Sequence, residues 1–176
     1  ILRVLRDYIT EMKPILFEGD NYSEEWAEEA KKRGLSNVKT TPYALDFMLE
    51  KNGMDVFTKN NVLSETEIHA RYEILNESYT LKIQIEARLI GDLALNHIIP
   101  PALEYQNLLI NNVKGMKEIG MPESAYKAQM QELEAISTHV NTIKENVEAM
   151  VEERKKANKI EDAAKKAKAY CDKVLP

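Results

Sequence analysis

The 176-residue chain is poor in the residues that cross-link or interrupt regular structure. It has six glycines, six prolines and a single cysteine, Cys171, which excludes a disulfide framework and a two-cysteine metal site. One cysteine also fits a reducing compartment. No apolar run approaches the length of a membrane span, and no signal peptide is visible. We therefore expect a cytoplasmic protein with no membrane segment.

Alanine, glutamate, lysine and leucine dominate the composition, and these residues favour helices. The net charge is −5, which argues against a nucleic-acid binder, because such proteins carry a basic face. The segment 152–173 differs, with eight Lys or Arg against five Asp or Glu, so its net charge is +3. A contact with an acidic partner is one interpretation of this segment, and a solvated helix face is the favoured one.

The first third of the chain predicts short, well-delimited helices. Apolar residues from Ile1 to Leu16 recur every three or four positions, which predicts an amphipathic helix that Pro14 kinks or ends. A helix over residues 23–33 has Asn21 or Ser23 as its cap and ends at Gly34. Thr41-Pro42 starts a helix that is expected to stop near Asn52-Gly53, and a turn of helix and a loop are expected over residues 54–63.

A long central helix is predicted to follow. Ser64 and Glu67 have the spacing of a capping box, and the helical pattern runs to about Ile99, where Pro100-Pro101 should break or kink it. Apolar residues on two sides predict a central position in a bundle. One row contains Ile68, Tyr72, Leu75, Tyr79, Ile83, Ile90 and Leu93, and the second contains Ile74, Leu81, Ile85 and Leu89.

The last third predicts a helical hairpin and a basic terminal helix. Helices on either side of Gly120 should pack antiparallel because their connection is short. A heptad seam from Leu133 to Met150 either closes on the preceding helix or offers an edge to another subunit. The prediction is an all-α helical bundle, one domain over residues 1–176. Residues 1–100 form its core, and residues 101–176 form the hairpin and the last helix, at about Ile160–Val174.

The residues give no signature of a catalytic or metal site. His69, His97 and His139 lie in predicted helices, without a second ligand at a metal-binding spacing. The phosphate-binding, dinucleotide-binding and nucleophile-elbow motifs are absent. Cys171 has no histidine within reach by spacing. We predict no catalytic, cofactor-binding or metal-binding residue in this chain.

The stretch EGDNYSEEWAEEAKKRGL, residues 18–35, contains the only tryptophan, Trp26. Together with Tyr22 and Tyr43 it could form an aromatic shelf for a ligand. The favoured interpretation is that the Trp26 ring is buried and anchors a short helix to its neighbour. If the ring is fully buried, replacing it with alanine should cost roughly 3–5 kcal/mol.

Three stretches resemble the C-terminal region of type III glutamine synthetases. They are GDNYSEEWAEEAKKRGLSNVKTTPYAL at residues 19–45, VFTKNNVLSETEIHARYEI at 56–74, and IQIEARLIGDLALNHIIPPALEY at 83–105. The resemblance covers essentially the whole chain and is most specific in the first two stretches. The chain also starts in a helical pattern without an initiator methionine, so we expect it to be a piece of a longer protein.

The resemblance implies a parent enzyme that makes glutamine from glutamate, ammonia and ATP, with Mg or Mn ions. It implies a double-ring homo-oligomer, with the catalytic domain of the same polypeptide as a partner. None of the family's catalytic motifs is present, so this chain alone should be inactive. We expect a structural role in assembly or regulation. The alternative is a free-standing helical adaptor that binds a protein partner through its hairpin.

Overall fold

The computed structural model describes the backbone of residues 1–176 and every side chain except that of Pro14. Its regular elements are helices and none of the described residues forms a strand, which confirms the all-α prediction. The chain divides into two compact units, residues 1–44 and 45–176. The description of residues 1–176 as one domain stays a prediction. No helix among the described residues is long and apolar enough to cross a membrane.

The first unit contains α1 (Leu2–Met12), which a 3₁₀ turn at Lys13–Ile15 ends, and α2 (Glu24–Lys32). Of the two candidate caps for α2, Ser23 is the one used, because its hydroxyl accepts a hydrogen bond from the Trp26 amide. Gly34 has φ of +72°, and the Leu35 amide donates back to the Ala30 carbonyl. These bonds form the predicted glycine-terminated helix end.

The prediction of one helix from Thr41 to about Gly53 is wrong. The chain forms α3 (Thr41–Leu45), a 3₁₀ turn at Asp46–Met48, and then α4 (Lys51–Lys59), which is longer than the single turn of helix expected before the loop. The backbone doubles back so tightly that a side chain at Gly53 would collide with the carbonyl oxygen of Phe47. Gly53 therefore permits a close backbone approach and does not mark a helix end.

A continuous helical segment of 54 residues dominates the second unit. It consists of α5 (Glu65–Leu93), a π turn (Ala94–Ile98) and α6 (Ile99–Glu118). The Ser64 capping box is confirmed, since the Ser64 amide donates to Glu67 Oε2 at 2.8 Å and the Glu67 amide donates to Ser64 Oγ at 3.3 Å. The two prolines do not end the helix. They occupy the first turn of α6, where proline is best tolerated, and the π turn lies directly before them.

The predicted antiparallel hairpin is formed by α6 and α7 (Lys127–Ala157). Gly120 has φ of +80° and ends the first arm. Gln106 donates to the Ser137 hydroxyl at 2.6 Å, and Asn112 donates to Gln129 at 2.9 Å. Higher residue numbers on α6 pair with lower ones on α7, which is the antiparallel order.

The terminal helix has the solvated charged face that was favoured from its composition, with Lys165 and Lys173 exposed, and it also has a buried face. It consists of α8 (Ala163–Ala169), capped by Asp162, and a π turn (Tyr170–Val174). One face of it is buried and completes the core of the second unit. This core consists of Ile83, Ala87, Ala157, Tyr170 and Val174. Alanines and core residues at helical spacing form a narrow apolar stripe on this helix. The stripe is not evident from the composition, because lysines occupy the positions between.

Candidate interaction surface

The residues considered for chemistry are spread over the second unit. His69, His97 and His139 are exposed, and His97 Nε2 lies 4.0 Å from Asp92 Oδ2. Cys171 is buried, and its thiol interacts with the Tyr79 hydroxyl. Burial, followed by this interaction, raises the pKa of Tyr79. The described residues contain no group of three or more His, Cys, Asp or Glu side chains arranged to hold a metal.

Trp26 is partly buried, so the condition of full burial attached to the loss of roughly 3–5 kcal/mol is not met. Its ring lies 4.7 Å from that of Phe17, centroid to centroid, at 41°. Tyr22 is 99% exposed. The chain entering α2 is also held by Arg33, whose Nη1 donates to the Leu16 carbonyl at 2.6 Å. These contacts support a local folding corner in which Phe17 is the partner of Trp26. The sequence alone did not identify Phe17 as this partner.

A polar network connects three elements of the second unit. Asp46, in the 3₁₀ turn, accepts a hydrogen bond from the Tyr72 hydroxyl at 2.8 Å and one from Lys168 Nζ at 2.6 Å. Tyr72 lies on α5 and Lys168 on α8. The turn, the central helix and the terminal helix are therefore joined at one carboxylate. Sequence reasoning missed this network because its members are 26 and 122 residues apart.

The network shifts two pKa values. Partial burial acts to raise the pKa of Asp46, but the hydrogen bonds from Lys168 and Tyr72 outweigh it, so that the pKa lies below its usual value. Burial, reinforced by the bond to Asp46, raises the pKa of Tyr72 to about 12. At neutral pH the network therefore contains the Asp46 carboxylate and the neutral Tyr72 phenol.

The central helix has one covered face and one uncovered face. Its covered face is built of small and polar residues as well as Ile83, namely Asn76, Thr80, Ala87 and Gly91. The uncovered row on the opposite side consists of Ile74, Leu81, Ile85 and Leu89, and each is more than half exposed. The expected central position, with apolar residues covered on two sides, is therefore wrong for the second row, and in the first row Leu75, Ile90 and Leu93 are exposed as well.

The first helix also has an uncovered apolar face. No residue of α1 is buried, and Leu2, Leu5, Ile9 and Met12 are all exposed. An isolated helix of this length is marginal in water. Exposed apolar faces of this kind, one in each unit, are each typical of an interaction surface.

The heptad seam of α7 closes within the chain. Leu133, Ile136, Val140 and Ile143 are half-buried and Val147 is buried. The hydrogen bonds to Ser137 and Gln129 lie along the same pair of helices. The first part of the seam lies along the preceding helix α6, whereas Val147 and Met150, at its end, lie beside Gly91 of α5.

Comparison with known proteins gives a consistent result. A family model described as glutamine synthetase C-terminal domain matches residues 1–117. The chain is 44% identical over 179 residues to a glutamine synthetase of Bacteroides fragilis (strain YCH46), covering 100% of this chain and 25% of that protein. It is 27% identical over 175 residues to a glutamine synthetase of Butyrivibrio fibrisolvens, covering 99% of this chain and 25% of that protein. Identity to a type-3 glutamine synthetase of Dictyostelium discoideum is 28% over 154 residues, covering 88% of this chain and 20% of that protein. The chain thus spans about a quarter or less of these relatives.

Proposed function

Because the chain belongs to the glutamine synthetase C-terminal domain family, we propose that it is the helical C-terminal region of a type III glutamine synthetase. The whole enzyme would join glutamate and ammonia to form glutamine, with cleavage of ATP and through a γ-glutamyl phosphate. The match over residues 1–117 and the likeness to a type-3 relative support this assignment.

The chemistry belongs to the rest of the polypeptide in this proposal. ATP and Mg or Mn ions are the expected cofactors of the whole enzyme. The described residues offer no convergent set of carboxylates that fits such a metal, so no catalytic step is assigned to them. The 176-residue chain alone should form no glutamine.

The role of this region is to support a homo-oligomer, expected to be a double ring. The observation that carries this role is the uncovered row on α5, Ile74, Leu81, Ile85 and Leu89. Burial of apolar surface stabilises contacts by about 25 cal/mol per Å². The exposed face of α1 fits a second contact, with the catalytic part of the same polypeptide.

The test compares the longer protein with and without this region. Particle mass by light scattering and the rate of glutamine formation are measured on the same preparations. Smaller particles with reduced activity are expected for the truncated protein. Normal mass together with a normal rate would refute the scaffold role.

The hairpin surface is tested separately through charge reversal at Glu145 and Glu148, both exposed on α7. A change in particle mass or rate in Glu145→Lys with Glu148→Lys would assign a contact to this arm. Unchanged mass and rate would restrict the scaffold role to other surfaces.

A free-standing adaptor is the second candidate, and the long antiparallel hairpin is the feature that favours it. The two candidate functions predict different reading frames in the gene. A reading frame that extends several hundred residues upstream and encodes the catalytic glutamates supports the ligase. Translation that begins near Ile1 supports the adaptor.

A further inference from the structure

A polar cavity of about 270 Å³ lies between α5 and the connection from α7 to α8. Glu77, Thr80 and Gln84 line it from α5, and Asn158, Glu161 and Lys166 line it from the other side. At about 30 Å³ for each molecule of liquid water, this is room for a small organic compound. Most of the lining side chains have hydrogen-bonding groups, unlike the apolar contacts of the core.

Thr80 has a hydroxyl group that the protein does not satisfy. Its side chain is only 8% exposed, and Oγ1 has no hydrogen-bond partner among the described residues. A threonine in a helix can bond to the carbonyl four residues earlier, but Thr80 does not. Leaving a buried hydroxyl unpaired costs about 1–3 kcal/mol, so a bound group that supplies the partner would be favoured.

The Asn158 amide of the cavity is oriented by a short hydrogen bond, and Gln84 contacts it at a longer distance. Asn158 Oδ1 accepts hydrogen bonds from the Tyr170 hydroxyl at 2.6 Å and from Gln84 Nε2 at 3.4 Å. Both bonds use the carbonyl end of Asn158, which leaves its Nδ2 group to donate. Gln84 likewise keeps its Oε1 atom as an acceptor. The two lining amides therefore retain one donor and one acceptor group for a ligand.

Charges of both signs surround these amides. Glu77 and Glu161 are exposed carboxylates and Lys166 is a half-buried ammonium group. None of the ion pairs among the described residues involves any of the three. A ligand with one positive and one negative group would match all three, whereas a ligand of a single charge would meet a repulsive side chain.

We propose that this cavity binds a small zwitterion, a free α-amino acid. Glu77 and Glu161 receive its ammonium group together with Gln84 Oε1 and the Thr80 hydroxyl. Lys166 and Asn158 Nδ2 receive its carboxylate. Leu81 and Ala163, the two apolar lining residues, contact its side chain. The site lies wholly in the second unit and does not depend on the ligase assignment, so each proposal can fail alone.

The binding test titrates the 176-residue chain with glycine, L-alanine and L-glutamine, followed by the NMR signals of the Asn158 and Gln84 side-chain amides. Acetate and methylammonium, which carry one charge each, are the matched probes. We expect at least one amino acid to saturate these shifts, with a Kd at least about tenfold below that of either probe. Absence of saturation, or equal binding of the single-charge probes, would overturn the site.

Variants then assign the groups. Lys166→Met should weaken binding by about tenfold, as the loss of one charged hydrogen bond implies. Lys165→Met changes the neighbouring exposed lysine of the same helix, which does not line the cavity, and should leave the Kd unchanged. Thr80→Val tests the hydroxyl, with the melting temperature as a check of folding. Equal weakening by both lysine changes would contradict the proposed geometry.

Discussion

At the scale of single residues, the Tyr72 hydroxyl has the clearest dependence on pH. A tyrosine in an unfolded chain has a pKa near 10, and burial raises that of Tyr72 to about 12. The folded state therefore favours the neutral phenol. The resulting stability is complete below about pH 10 and is lost as the pH rises from about 10 to about 12.

We expect Tyr72→Phe to remove part of this alkaline loss. At pH 7 the change should cost about 1 kcal/mol, because Asp46 loses one donor. Between about pH 10 and 12 the free energy of unfolding should fall less steeply in the variant. Urea unfolding followed by circular dichroism at several pH values measures this. Tyr79 also has a raised pKa, but it is present in both proteins, so any difference in slope comes from Tyr72. Equal slopes of the free energy of unfolding against pH in this interval would contradict the role assigned to Tyr72.

A second residue-scale prediction concerns the half-buried Trp26. Replacing it with alanine removes the contact with Phe17 but leaves no closed cavity, so we expect a loss of about 1–3 kcal/mol, below the range for full burial. The measurement is thermal unfolding by circular dichroism. Phe17→Leu is the control, because it keeps Trp26 and removes the aromatic partner. In this variant the fluorescence of Trp26 should shift to longer wavelength. A loss above about 4 kcal/mol for Trp26→Ala would mean that the ring is covered by more than Phe17.

At the scale of elements, replacing two helical glycines with alanine should have opposite effects on stability. Gly53→Ala should destabilise the second unit, because the new methyl group collides with the Phe47 carbonyl, which belongs to the backbone. Gly115→Ala lies within α6 with nothing near the new methyl group, so it should stabilise the helix by about 1 kcal/mol. Melting temperatures of the two variants measure the difference. A gain in both would show that the turn before α4 rearranges freely.

Helix ends were more predictable than helix packing. The local sequence was sufficient to identify the helix ends at Ser64 with Glu67, at Gly34 and at Gly120. Each of these residues interacts with backbone only a few positions away. The break between α3 and α4 was missed because it depends on where Phe47 lies when the chain turns back. The covered face of α5 was missed for a similar reason. Asn76, Thr80 and Gly91 are not apolar, and their burial is determined by the helices that pack on them.

The local sequence did not identify any residue of the two polar sites. The network at Asp46 and the cavity beside Thr80 both join residues that are far apart in sequence. A local pattern shows the type of each residue but not its distance from a partner on another helix. The family resemblance, by contrast, is a property of the whole sequence, which is why it succeeded where residue chemistry ended at a helical bundle.

At the scale of the whole molecule, the uncovered row on α5 separates folding from assembly. Leu81→Lys with Ile85→Lys changes two exposed side chains, so the free energy of unfolding of the 176-residue chain should change by no more than about 1 kcal/mol. In the longer protein the same pair should reduce particle mass, because two charges would be buried in a contact.

Asn107→Lys, an exposed position on α6, is the matched control and should leave the particle mass unchanged. Light scattering at several protein concentrations gives the mass of each variant. A normal mass for Leu81→Lys with Ile85→Lys would mean that this row is covered by something other than the assembly.

The π turn between α5 and α6 sets the rotational phase of the hairpin. The Ile99 amide bonds to the Ala94 carbonyl five residues earlier, so this turn contains one residue more than an α-helical turn. One residue corresponds to about 100° of helix rotation. Deleting a single residue from 94–98 would therefore redirect the packed side of α6, including Val113, away from α7, although no contact residue had been changed. For this chain, a one-residue deletion there should be more damaging than most substitutions nearby, and insertions and deletions in relatives should avoid this turn.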